Sequence, residues 1–82
     1  MVTIYTKDYC PYCKQAKTLL NSLNVTYKEV DITKTPEKII GLEAKSGLRT
    51  VPQIFVEDKC LGGYSDIAKL QEEGKLLEML KA

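Results

Sequence analysis

Apolar and polar residues alternate from the second position of the chain. Val2-Thr3-Ile4-Tyr5-Thr6 is β-branched and aromatic with a period of two, which predicts a strand. Lys7-Asp8-Tyr9 reads as a short loop. The period then changes. Ala16, Leu19, Leu20 and Leu23 fall at i, i+3, i+4 and i+7, the spacing of one apolar helical face. Pro11 suits the first turn of that helix, where its missing N–H is not needed, and Asn24 marks its end. Residues 26–32 alternate again, with Tyr27, Val30 and Ile32 among polar neighbours, and predict a second strand. Strand, helix and strand with short loops make a βαβ unit, whose crossover is right-handed.

The second half is punctuated by proline and glycine. Thr35-Pro36-Glu37 predicts a helix with Thr35 as N-cap, Pro36 at the first helical position and an acid in the first turn. Ile39, Ile40 and Leu42 supply its apolar positions, and Gly47 its stop. Residues 53–57 form a β-prone run. Asp58-Lys59 reads as a tight connection, and Cys60-Leu61 begins a returning strand, so this is a hairpin. After Gly62-Gly63, Ser65 or Asp66 is the expected cap of a helix with Ile67 and Leu70 facing inward. Gly74 breaks that helix, and Leu76, Leu77 and Leu80 line a short final one. There are no repeats, linkers or low-complexity tracts. The order βαβ, α, ββα(α) predicts an α/β chain with a four-stranded mixed sheet flanked by helices.

Size and charge narrow the function classes. At 82 residues the chain is expected to be one domain, residues 1–82, with a small core. Twelve basic and eleven acidic residues leave a net charge of +1, which gives no reason to expect nucleic acid or a membrane surface as partner. No apolar run reaches the roughly 20 residues of a membrane span. The first residues lack the basic region and cleavage site of a secretory signal, so a cytoplasmic location is expected. Three cysteines are a poor disulfide framework, whereas a C-x-x-C in a reducing compartment points to redox or metal chemistry. There is no histidine, which removes the commonest general base and metal ligand.

Cys10-Pro11-Tyr12-Cys13 sits where the first strand turns into the first helix. Unpaired backbone N–H groups and the helix dipole favour a thiolate at Cys10. Such sites lower a cysteine pKa from about 8.5 to roughly 3.5–7.5, and Lys7 adds positive charge. Cys13 lies about one turn further in and is less favoured as a thiolate. The asymmetry makes Cys10 the attacking group and Cys13 the resolving one. The competing readings are a structural cysteine pair and half of a zinc site. Zinc needs about four ligands, usually Cys or His; only Cys60 remains, and carboxylates would have to complete the set.

Two further features are less specific on their own. Pro52, in Thr50-Val51-Pro52, precedes a strand, where proline is normally a liability. A cis Val51–Pro52 bond would let Val51 offer its backbone to an extended peptide beside Cys10, but composition alone favours the ordinary trans bond. Gly62-Gly63-Tyr64-Ser65-Asp66 enters a helix. It is compatible with close approach of a carboxylate ligand and with an ammonium against Asp66, although a tight turn with a capping Ser or Asp is the simpler reading.

With these features in one chain, the sequence resembles the glutaredoxin family, in particular its dithiol class. The matching segments are Ile4-Tyr5-Thr6-Lys7 leading into Cys10-Pro11-Tyr12-Cys13, Arg49-Thr50-Val51-Pro52-Gln53-Ile54-Phe55-Val56, and Leu61-Gly62-Gly63-Tyr64-Ser65-Asp66. The resemblance implies a thioredoxin-like fold with Pro52 in cis and a groove for glutathione. In that groove Cys10 would take glutathione as a mixed disulfide and Tyr12 would line the wall. Thr50 and Val51 would bond the tripeptide backbone beside Pro52. Gly63, Ser65 and Asp66 would hold the γ-glutamyl end, and Lys7 and Arg49 would face the glycine carboxylate. Three departures stand out. Residues 37–45 hold no glutamine, where many members have one that reaches the glycine carboxylate. Tyr64 stands where many have Cys, and Cys60 matches an extra cysteine of only some members, read as a small apolar residue in a short strand, with a regulatory or glutathionylated thiol as the alternative.

The resemblance implies a glutathione-dependent thiol–disulfide oxidoreductase with no bound cofactor and glutathione as co-substrate, recharged by an NADPH-dependent reductase. It would act as a monomer on glutathionylated or disulfide-bonded proteins, ribonucleotide reductase being one client by family analogy. The alternatives are a redoxin served by thioredoxin reductase, and an iron–sulfur or zinc-binding module of the same fold.

Overall fold

The structure is a computed structural model that describes residues 1–81. Its elements are β1 (Val2–Thr6), α1 (Pro11–Ser22), β2 (Tyr27–Asp31), α2 (Lys38–Ser46), β3 (Gln53–Val56), β4 (Lys59–Gly62), α3 (Tyr64–Glu72) and α4 (Leu76–Leu80). The sheet order is β2-β1-β3-β4. β1 and β2 are parallel, with Ile4 opposite Glu29, and β1–β3 and β3–β4 are antiparallel. The expected four-stranded mixed sheet with flanking helices is therefore present, in a thioredoxin-like arrangement.

The period-two pattern of β1 sorts its side chains between two cores. Val2 and Ile4 join Ala16, Leu20, Ile54, Val56, Ile67, Leu76 and Leu80 on the face covered by α1, α3 and α4. Each fully buried aliphatic side chain contributes about 1.5–3 kcal/mol. Tyr5 points the other way, toward Ile32, Leu42 and Phe55 under α2, and meets Phe55 edge to face at 5.5 Å. β3 is buried on both faces, as befits a central strand.

The helix stops read from the sequence are left-handed residues. Asn24, Gly47 and Gly74 have φ of 57°, 77° and 72° and follow the ends of α1, α2 and α3. Several local expectations are corrected. α2 begins at Lys38, not Pro36. Lys38, Ile39 and Ile40 donate to Thr35, Pro36 and Glu37 three residues back, a tighter turn that precedes the α-helix. The hairpin turn is Glu57-Asp58, one residue earlier than expected, and Glu57 takes φ of 54°. Leu61 is an extra residue in β4, because Gly62 pairs with Ile54 while Cys60 pairs with Phe55. The N-cap of α3 is Gly63, not Ser65 or Asp66. Ile40 and Leu77 are exposed, since each helix buries a narrower stripe than its apolar residues suggest.

Candidate active site

Cys10 is the N-cap residue of α1. Its backbone is extended, Pro11 is the first helical residue, and the Cys13 N–H donates to the Cys10 sulfur over 3.2 Å. The sulfur thus takes up one of the N–H groups that a helix start leaves without an intrahelical partner. The Cys10 thiol also donates to the Val51 carbonyl at 3.7 Å, which ties α1 to the segment before β3. The Val51–Pro52 bond is cis. Composition alone favoured trans; the family resemblance implied cis.

Cys13 is three residues further on and in a different environment. It is 1% exposed. Burial, reinforced by its thiol's hydrogen bond to the Cys10 sulfur, pushes its pKa up from 9.0 to about 12. The Lys7 backbone amide and the Lys17 ammonium act in the opposite direction without reversing it. Below Cys13, the buried Thr6 hydroxyl donates to Glu29 at 2.7 Å, and the Lys17 ammonium reaches the same carboxylate oxygen at 3.0 Å. The Thr6 hydroxyl first, and then Lys17, hold the Glu29 carboxyl below its ordinary value.

A groove of about 500 Å3 runs beside Cys10, lined by Tyr12, Leu48, Thr50, Val51, Pro52, Gly63, Tyr64, Ser65 and Asp66. Seven residues singled out from the sequence, Tyr12, Thr50, Val51, Pro52, Gly63, Ser65 and Asp66, therefore meet on one surface. They come from α1, the segment before β3 and the start of α3. Lys7 and Arg49 lie outside this lining. Arg49 donates its Nε to Glu43, and its side chain is 79% exposed. A wider cleft of about 660 Å3 lies between β2 and α2 and shares no lining residue with the groove.

The entrance to α3 is tightly built. Asp66 Oδ2 accepts from the Gly63 N–H at 3.0 Å. Gly62 has φ of 113°, and a Cβ there would stand 2.3 Å from Asp66 Oδ2, so backbone and side-chain packing both require glycine. Cys60 is half-buried, and its sulfur accepts from the Gly62 N–H at 3.3 Å. Burial pushes its thiol pKa up.

Sequence reasoning missed three residues of this site. Leu48 and Tyr64 line the groove. Gln53 lies beneath it, fully buried and fully bonded. Its Nε2 donates to the carbonyls of Leu48 at 2.9 Å and Thr50 at 3.0 Å, and its Oε1 accepts from the Ser46 hydroxyl. Ser46 Oγ in turn accepts from the Leu48 N–H at 3.0 Å. Residues 48–52 make no backbone–backbone hydrogen bond among the described residues. Two side chains, Gln53 and Ser46, hold that segment's polar backbone in their place. A polar residue in an otherwise apolar strand (Gln53-Ile54-Phe55-Val56) was the one signal available in advance.

These two thiols at a helix start, with a groove beside the outer one, are the equipment of a thiol–disulfide oxidoreductase. The family model for glutaredoxin matches residues 2–61. Glutaredoxin 3 of Escherichia coli K12 is 42% identical over 80 residues, which cover 98% of this chain and 96% of that protein. The holo form of glutaredoxin C1 from Populus tremula x tremuloides superposes with a TM-score of 0.91 at 29% identity, over 98% of this chain and 82% of the other. A buckwheat glutaredoxin–glutathione complex superposes with a TM-score of 0.89 at 29% identity, over 98% and 76%. The chain belongs to the glutaredoxin family, and is accordingly a thiol–disulfide oxidoreductase with a thioredoxin-like fold. No helix of the described residues is long and apolar enough to cross a membrane.

Proposed function

We propose that the chain uses glutathione to reduce protein–glutathione mixed disulfides and protein disulfides, with Cys10 as nucleophile and Cys13 as resolving thiol. The carrying observation is the groove beside the Cys10 sulfur, lined by Tyr12, Thr50, Val51, Pro52, Gly63, Ser65 and Asp66. A solved relative of the same fold is a complex with glutathione. The Cys10 thiolate attacks the glutathionyl sulfur of a mixed disulfide. The Cys10–glutathione bond forms, the protein–glutathione bond breaks, and the protein leaves as thiolate. A second glutathione thiolate attacks the glutathionyl sulfur on Cys10, releasing oxidised glutathione and the Cys10 thiolate. With a protein disulfide, the Cys10 thiolate attacks one client sulfur, the client S–S bond breaks, and the other client sulfur leaves as thiolate, which gives the Cys10–client mixed disulfide. Cys13 loses its proton and attacks the Cys10 sulfur, and the client leaves with both electrons. Two glutathiones then reduce the Cys10–Cys13 bond.

In this reading Thr50 and Val51 pair with the tripeptide backbone beside Pro52. Glutathione offers two carboxylates and one ammonium. Ser65 at the start of α3 takes the γ-glutamyl carboxylate, Gly63 allows its close approach while its own N–H stays on Asp66 Oδ2, and the other Asp66 oxygen faces the ammonium. Lys7 and Arg49 serve the glycine carboxylate from outside the groove. Arg49 holds Glu43 through Nε alone, which leaves the rest of its donor fork available. The co-substrate is glutathione, no bound cofactor takes part, and the clients are glutathionylated or disulfide-bonded proteins. The test is turnover of a glutathionylated peptide with glutathione, glutathione reductase and NADPH. Wild type turns over, and Cys10→Ser falls to the uncatalysed rate. Turnover retained by Cys10→Ser, or indifferent to glutathione, contradicts the proposal.

A further inference from the structure

Tyr64 stands first in α3, and Tyr12 stands second in α1. Their rings are stacked, with centroids 6.2 Å apart and planes 29° from parallel. Tyr12 is otherwise poorly held: its residue is 61% exposed. Tyr64 is half-buried, and its other contacts are with the large core under α1 and α3. One ring is therefore anchored in the core while the other projects over the groove, and both line that groove together with Thr50, Val51 and Pro52. Stacked rings favour this offset geometry, and an anchored ring limits the rotamers of its partner.

We infer that Tyr64 is a positioning residue for substrate binding: it fixes the Tyr12 ring as a rigid apolar wall of the groove that receives the glutathionyl group. This rests on the proposed glutathione reading and deepens it. A free Tyr12 would have to be ordered each time substrate binds; a ring already held by Tyr64 avoids that entropy cost. The effect belongs to binding and not to the sulfur chemistry, because neither ring contacts the Cys10 sulfur in a hydrogen bond. Removing the stack should raise KM for a glutathionylated peptide by about three- to tenfold, the range that an aromatic pair supplies, and leave kcat within about twofold.

The experiment compares wild type, Tyr64→Phe, Tyr64→Leu, Tyr12→Ala and Tyr12→Ala/Tyr64→Leu on one glutathionylated peptide, with glutathione in excess. Tyr64→Leu keeps apolar bulk against the core, so the fold is not put at risk. Tyr64→Phe keeps the ring and should retain the wild-type KM. Tyr64→Leu should raise KM. The double variant should match Tyr12→Ala alone, because Tyr64 acts through Tyr12. The rate of Cys10 alkylation by iodoacetamide, which carries no glutathionyl group, should be the same in wild type and Tyr64→Leu. Equal KM for wild type and Tyr64→Leu, or additive effects in the double variant, overturns the role of Tyr64 while leaving the glutathione reading intact. A wild type that does not turn over the glutathionylated peptide overturns both.

Discussion

Cys10 and Cys13 are the same residue type on one turn of one helix, yet they occupy opposite environments. Cys10 is half-buried at the helix start and accepts a backbone N–H. Cys13 is sealed in the interior, and burial pushes its thiol up to about 12. The same contrast extends to their supports. Cys13 lies on the buried side of α1, whose Ala16 and Leu20 belong to the apolar core under α1 and α3. Beside Cys10, the segment that would meet a substrate is held by directed hydrogen bonds from Gln53 and Ser46. Packing excludes water from the resolving thiol. Hydrogen bonds fix backbone direction where a ligand must be read.

The largest effect expected outside the cysteines falls on the hydrogen-bonded side. Gln53→Leu keeps approximate volume but strips two donors from the carbonyls of Leu48 and Thr50. Both bonds are only part-buried, so each contributes about 0.5–1.5 kcal/mol net, and a loss of about 1–3 kcal/mol is expected in urea unfolding. A loss under about 1 kcal/mol would show that water or local relaxation satisfies those carbonyls, and the contrast between the two sides would weaken.

Next comes the buried thiol. Cys13 ionises near pH 9 when the chain is unfolded but near pH 12 when it is folded and reduced. Unfolding therefore releases a proton in that window, and the stability is intact below pH 9 and lost progressively as pH rises toward 12. Cys13→Ser should show a shallower decline over the same range. Equal slopes in urea-melt series at rising pH would mean that Cys13 is not sealed as described.

The smallest effect concerns the ion pair below Cys13. Glu29 is held below its ordinary value of 4.5 by Thr6 and Lys17. Unfolding takes up a proton once the pH drops below that value, so the stability Glu29 provides is present above about pH 4.5 and lost as pH falls through its lower folded value. The pair is partly exposed, so Glu29→Gln should cost only a few tenths of a kcal/mol near neutral pH and flatten the acid limb of the stability profile. An unchanged acid limb would count against the bond to Thr6.

Much of this was legible in the sequence where the signal was local. The period-two run of β1, the i, i+3, i+4, i+7 stripe of α1, Pro11 at a helix start and the stops at Asn24, Gly47 and Gly74 are properties of a few neighbouring residues. The features that were missed depend on partners distant in sequence. The late start of α2 follows from how Thr35–Glu37 turn before the helix, and the exposure of Ile40 from which side of α2 meets Phe55 and Ile32. Gln53 reads as one polar residue in a strand until Ser46, Leu48 and Thr50 close around it. The cis bond before Pro52 came from the family resemblance and not from composition. Tyr64 reads as a tolerated variation until its ring is seen against Tyr12.

The division of labour between the two cysteines is tested most directly by Cys13→Ser in one glutathione-coupled assay with two substrates, a glutathionylated peptide and a protein disulfide. The arrangement of a half-buried attacker and a sealed resolver predicts that the variant keeps turnover of the glutathionylated peptide within about tenfold of wild type and loses reduction of the protein disulfide. Equal loss of both reactions, or equal retention of both, would contradict it.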